Sequence, residues 1–252
     1  MPLRAARLLI WPIAVAAFAL RICAELWIEP VTWRIDPRGV ALLVWIAAQA
    51  ACFLVPWAAY ALLTRSVRQR PATWEVDAGR RCFIAPASPR WIGPWSILLG
   101  WLAGGFVPTE RVPGEDRLRL ADIPGTVALG IGIPVLVLGG IAAVLLMNRP
   151  LLALDRDGIT MQGIIRRSFL PWNRLLAGGP MPPARGAANL TLMRLPATPG
   201  GRAPVGYPLP IARLHVDPAF LAHTIRHYVE HPEHRPAIGA ADERERLRAA
   251  QS

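Results

Sequence analysis

Two stretches of the chain, Val40 to Leu63 and Gly125 to Met147, each exceed the roughly 20 apolar residues that carry a helix across a bilayer core of about 30 Å. Val40 to Leu63 holds Gln49 as its one strongly polar side chain, and Gly125 to Met147 holds no charge. Strands buried in a soluble core are far shorter. These runs therefore restrict the chain to helices packed in lipid, where a helix satisfies its own backbone donors and acceptors. The composition agrees, with 53% hydrophobic residues, 18% charged residues and a mean hydropathy of +0.33.

Two further runs complete a predicted set of four spans. Leu8 to Ile28 is apolar through Leu20 and then meets Arg21 and Glu25, which share one helix face at i and i+4. That pair reads either as neutralised charge near a helix end, with the guanidinium reaching for the nearer interface, or as a gating or substrate-binding pair inside the membrane. A cleaved signal peptide competes for this segment, since Arg4 and Arg7 precede the run. No small-x-small cleavage site follows, however, and Leu20-Arg21-Ile22 is a poor lead to a lipoprotein Cys23. Trp91 to Pro108 is shorter and glycine-rich, so it fits a span or a re-entrant segment. Gly100 and Gly104 form a GxxxG spacing, and Gly139 with Ala143 a second small-xxx-small face, both suited to close helix approach. Trp91, Trp95 and Trp101 are suited to the interfaces.

The formal net charge is +11, and all 28 basic residues are Arg. Their placement decides what the charge is for. Arg65, Arg68, Arg70, Arg80, Arg81 and Arg90 fall between the second and third runs, and Arg149 opens a basic tail. Arg111, Arg117 and Arg119, between the third and fourth runs, are diluted by Glu110, Glu115, Asp116 and Asp122. The positive-inside rule puts loop 65–90 and the tail in the cytoplasm, and four spans put both termini there as well. A multi-pass protein of the inner (plasma) membrane is expected. Orientation accounts for much of the basic excess, and a phosphate-binding surface would be expected to use Lys too, so nucleic acid is not an expected partner. Cys23, Cys52 and Cys82 are odd in number and show no CxxC spacing, which supports neither a disulfide framework nor a zinc site.

After Asn148 the pattern becomes that of a small α+β module, predicted over 148–234, with a transmembrane region over 1–147 and a charged tail over 235–252. Leu151 to Asp155 is a short apolar strand, Arg156-Asp157-Gly158 a turn, and Ile159 to Ile165 a second strand, the signature of a hairpin. Further strands are expected at Ser168 to Pro171, Asn189 to Leu195, Val205 to Pro208 and Pro210 to His215, separated by Gly/Pro-rich loops at 177–188 and 196–204. Asp217 as N-cap and Pro218 at the first turn begin a helix whose Phe220, Leu221, Thr224, Ile225 and Tyr228 form one stripe. Within loop 65–90, TWEV and RRCFIAP are able to add a small hairpin.

The stretch LLALDRDGITMQG, followed by the pair Arg166 and Arg167 and a strand ending in LPWNRL, resembles the start of bacterial PH-like domains. CFIAPASPRW and the closing IRHYVEHPEHRPAIG resemble segments of uncharacterised actinobacterial membrane proteins that carry such a domain. The resemblance covers mainly residues 149 to 239. It implies an antiparallel PH-like β module closed by a C-terminal helix. A full PH barrel needs more strands than the five or six that can be drawn here. No Lys/Arg cluster between the first two strands supports phosphoinositide binding.

His223, His227 and His231 recur every four residues, with His215 and His234 nearby, a spacing that stacks imidazoles on a helix face. Without Cys or an HExxH frame, a solvated helix face is expected rather than a metal site or a pH-responsive surface. Asp155 and Asp157 are read as turn makers, not paired acid–base carboxylates. Ser88, Ser96 and Ser168 lack a GxSxG setting, and no phosphate-cradling glycine loop occurs. Trp172 is expected as a core anchor, and Arg166, Arg167, Trp172 and Tyr228 are the module's candidate interaction or structural positions. No cofactor is implied. The expected function is non-enzymatic: a membrane protein presenting a scaffolding or regulatory module to an unknown cytoplasmic or membrane protein, or to anionic lipid headgroups worth about 1 kcal/mol per nearby Arg. The alternative is a small transporter or channel subunit in which Arg21, Glu25 and Gln49 line a path; a membrane-bound enzyme ranks third.

Overall fold

The structure is a computed structural model that describes residues 1–32, 34–107, 109, 125–147, 151–163, 167–196 and 204–250. It divides into two compact units. One comprises Met1–Arg68 with Ile92–Asn148, the other Gln69–Trp91 with Arg149–Ser252.

The first unit is helical. Three of its helices are long and apolar enough to cross a membrane: α1 (Leu3–Thr32), α2 (Arg38–Leu63) and α4 (Thr126–Leu146). Between them in sequence lies α3 (Pro89–Gly104), whose 16 residues give it a length of roughly 24 Å. The small core is made by Ile10, Ala14 and Ala17 of α1 packing with Tyr60, Ile97, Ile141 and Leu145. Outward-facing positions are the apolar ones, as lipid requires: Leu136 is 76% exposed and Leu62 67%. The GxxxG of α3 seats against α1. A Cβ on Gly100 would run into the backbone carbonyl of Ala14, and one on Gly104 would lie 2.7 Å from Arg21 Cγ. Gly139 has open space around it, so the predicted second small-residue face is not used for packing among the described residues. Its helix offers that side outward, where a small residue gains nothing.

The second unit holds β1 (Glu75–Asp77), β2 (Cys82–Ala85), β3 (Leu152–Leu154), β4 (Gly158–Gln162) and β5 (Arg167–Pro171) in one antiparallel sheet of that order, plus the pair β6 (Leu190–Arg194) and β7 (Val205–Leu209). The hairpin turn is set by Asp155, whose carboxylate accepts from the backbone N–H groups of Asp157 and Gly158, each at 2.9 Å. Gly158 is required there because a Cβ would strike the carbonyl of Leu170 on β5. Loop 65–90 contributes β1 and β2 directly to the sheet, with Phe83 opposite Leu154 and Ala85 opposite Leu152. Residues 210–215, predicted as strand, instead form a 3-10 turn at Ile211–Arg213, since Pro210 has no N–H to continue a ladder. Helix α5 (Pro218–Glu230) starts on Asp217, which accepts from Phe220 N–H at 2.9 Å, and buries Phe220, Leu221, Thr224, Ile225 and Tyr228. Residues 235–250, predicted as a charged tail, belong to this unit: α6 (Ala241–Ala249) buries Glu243 and Leu247.

Candidate functional site

The strongest candidate lies in the first unit, around the charged pair of α1. Arg21 Nη2 donates to Glu25 Oε1 at 2.6 Å, and both side chains are largely buried. Arg21 Nη1 donates to the amide oxygen of Gln49 on α2, itself 5% exposed. The guanidinium carbon lies 4.9 Å from the ring centre of Trp101 on α3 and 5.8 Å from that of Trp45 on α2. Thr109 donates to the second Glu25 oxygen at 3.0 Å. Arg21 is gripped from three helices, and the predicted i, i+4 pair is the centre of a larger cluster. Directly after it, Ala24–Ile28 forms a π-helical turn, a local widening often found at functional positions in helices.

Two cavities adjoin this cluster. One of about 350 Å³ is walled by Arg21, Trp45, Gln49, Phe53 and Trp101 among others. The other, of about 530 Å³, is lined by Glu29, Asp36, Arg38 and Trp45, so Trp45 borders both. The amide nitrogen of Gln49, the indole nitrogen of Trp101 and Nε of Arg21 are buried without a partner among the described residues. Such orphans are expensive in lipid, which singles out this cluster as the candidate.

The second cluster sits in the β-containing unit and runs through the module's candidate residues. Trp172, 2% exposed, donates its indole N–H to the carbonyl of Asp155 at 2.9 Å and packs its ring 5.9 Å from Tyr228. Tyr228 donates to Glu243 at 2.8 Å, and Arg246 donates to both Glu243 oxygens at 2.7 Å. Arg246 also approaches His227 Nε2 at 2.9 Å, and His234 Nδ1 lies 3.0 Å from the same atom. Arginine only donates, so Nε2 of His227 is the acceptor and that imidazole is neutral. Burial first, then the Arg246 charge, hold the His227 pKa below its ordinary value. Burial pushes the Glu243 carboxyl upward, but its bonds from Arg246 and Tyr228 outweigh this and keep it below the usual range. Burial, then the bond to Glu243, raise the Tyr228 hydroxyl.

The histidines do not form the solvated face predicted for them. His227, His231 and His234 stack with ring centres 4.8 to 5.4 Å apart, because the 3-10 segment Pro232–Ala237 folds back beside the end of α5. Only His223 stays on the exposed side of α5, and His215 is buried next to Pro86. Among the described residues no group of three or more His, Cys, Asp or Glu is arranged to hold a metal ion. Arg167 lies exposed on β5, apart from this cluster, and Arg166 lies outside the described residues. Glu243 and Arg246 sit in a stretch that reads as charged and solvated; the one signal that separates it is Leu247, a lone apolar residue one turn after Glu243. Comparison with protein-family models, with curated proteins and with solved structures finds no match for the chain.

Proposed function

We propose that the chain is a four-span membrane protein that holds a PH-like module at the cytoplasmic face, where the module acts as a scaffolding or regulatory interaction element rather than an enzyme. The observation that carries this reading is the pairing of β2 with β3. Residues 85 and 152 then lie on one side of the membrane, and the segment between them crosses an even number of times. Helix α4 is apolar enough to cross, so parity favours a crossing by the shorter α3 as well. A span shorter than the bilayer core is accommodated by local thinning, with Trp91 and Trp95 as interfacial anchors. The arginines of loop 65–90 favour the cytoplasm for both ends of the sheet. The antiparallel meander and the buried stripe of α5 support the PH-like character.

Topology reporters inserted between Gly79 and Arg80 and fused after Ser252 test the reading. Both are expected to report the cytoplasm; opposite sides, or the outside for either, would overturn it. A transport path is the second reading, favoured by the two cavities that share Trp45 beside Arg21 and Gln49. It predicts that Arg21→Ala with Glu25→Ala abolishes a flux while the helices still form.

A further inference from the structure

Three segments of the second unit are stitched together by backbone bonds where the chain enters α3. Ser88 N–H donates to the carbonyl of Arg213 at 2.7 Å, His215 N–H to that of Pro86 at 2.9 Å, and Asp217 N–H to that of Pro71 at 2.9 Å. The stitching gathers basic side chains that lie far apart in sequence. The guanidinium carbon of Arg213 sits over the ring of Trp91, 4.7 Å from its centre, and Arg70 Nη2 donates to the carbonyl of Ala212 at 3.1 Å. Arg90 stands beside Trp91 in the first turn of α3. Burial first, then the charge of Arg90, lower the Arg70 pKa against the pull of Asp217.

The patch is positive and open to solvent. Arg90 and Arg213 are exposed, and among the described residues no carboxylate forms an ion pair with Arg70, Arg90 or Arg213. Asp217, the acid that acts on Arg70, is engaged in capping α5. Trp91 attracts the Arg213 cation through its ring face, yet an indole accepts none of the N–H groups at the edge of the guanidinium. Arg213 is thus positioned while its donors have no acceptor among the described residues. Planar guanidinium forks match phosphate oxygens in particular. On the four-span reading, on which this inference rests, the first turn of α3 lies at the cytoplasmic interface, where Trp is favoured and anionic phosphates are concentrated. We propose that Arg213, Arg90 and Arg70 form a surface for the phosphates of anionic phospholipids, with Arg213 fixed on Trp91 as its centre. An acidic protein segment carries the same charge, but Trp91 at the start of a span favours the lipid.

The full chain in detergent micelles is titrated with dioleoyl-phosphatidylglycerol and with dioleoyl-phosphatidylcholine, and bound lipid is counted by native mass spectrometry. Phosphatidylglycerol is expected to bind more tightly. Arg90→Gln and Arg213→Gln are each expected to raise its Kd about fivefold, the worth of one arginine near an anionic surface, and to leave the phosphatidylcholine Kd unchanged. Both side chains are exposed, and if one variant fails to fold the other carries the test. Arg226→Gln removes an equal charge from an arginine already paired with Glu230 and is expected to change neither Kd. Equal affinity of the native chain for the two lipids, an unchanged phosphatidylglycerol Kd in folded Arg213→Gln, or the same loss in Arg226→Gln overturns the proposal. So does a poly-glutamate peptide that binds the native chain more tightly than phosphatidylglycerol, which would give the surface to an acidic protein segment. Micelles have no sides, so the outcome is independent of the topology reporters: cytoplasmic reporters without a lipid preference sink the lipid surface alone, and a preference with reporters outside sinks the four-span reading alone.

Discussion

At the scale of single residues, Glu243 shows how much depends on a carboxylate that reads as surface. It accepts from Tyr228 and Arg246 while 7% exposed, and it ties α6 to α5. Tyr228→Phe is expected to weaken that tie by about 1.5–3 kcal/mol, the worth of a hydrogen bond to a charged group, read as faster hydrogen exchange of the α6 amides. Acid acts on the same tie. His227 titrates lower in the fold than in the unfolded chain, so the unfolded chain takes up the proton first. The contribution of His227 is full above the ordinary His value near 6.5 and is lost as pH falls from there toward the depressed one. Glu243, likewise depressed, adds a further loss below the ordinary value near 4.5. Protection of the α6 amides, with exchange normalised to its intrinsic base-catalysed rate, should therefore fall between pH 7 and 5, and His227→Gln should flatten that upper step. His215, also held low by burial and then by Arg70, loses its contribution in the same direction, so His215→Gln separates its share from that of His227.

At the scale of elements, glycine positions divide into those that bear contact and those that do not. Gly100 has the carbonyl of Ala14 where its Cβ would be, so Gly100→Ala is expected to destabilise the α1–α3 contact by about 1–3 kcal/mol, the range for overpacking. Gly139→Ala, with open space, is expected to be neutral; thermal unfolding of the two variants in detergent compares them. Both glycines sit in the same small-xxx-small pattern, and the sequence alone does not separate them, since the pattern is satisfied by any face of a glycine-rich helix. Other elements were legible for physical reasons. The Asp155 to Gly158 turn and the Asp217 cap are fixed by local side-chain-to-backbone bonds, which sequence spacing determines. The 3-10 turn at Ile211–Arg213 was not, because apolar residues around prolines fit an edge strand as well as a turn. The stacking of His227 with His231 and His234 was hidden for a different reason: helical spacing holds only while the helix lasts, and α5 ends at Glu230.

At the scale of the whole molecule, the chain builds its sheet from two segments between which, among the described residues, lie α3 and α4. A chain ending at Asn148 keeps β1 and β2 but loses the strand that β2 pairs with. Limited proteolysis is expected to cut such a truncation at Arg80 or Arg81, while the full chain resists. The reach of loop 65–90 into the sheet was only half visible in the sequence: TWEV and RRCFIAP show strand character, but a partner nearly 70 positions away leaves no local trace. The cluster at Arg21 was likewise half legible, because the i, i+4 spacing gives the ion pair, whereas Gln49, Trp45 and Trp101 reach it only through helix packing. Synthesis adds a consequence of its own. The ribosome must deliver the 66 residues from 86 to 151 before Ala85 meets Leu152, a wait of about 3 to 13 s at roughly 5–20 residues per second. Until then β2 waits with an open edge. On the proposed four-span reading, completion of the sheet certifies that α3 and α4 have been inserted with the right parity, and a failed insertion leaves an unpaired strand for the cell's proteases to find.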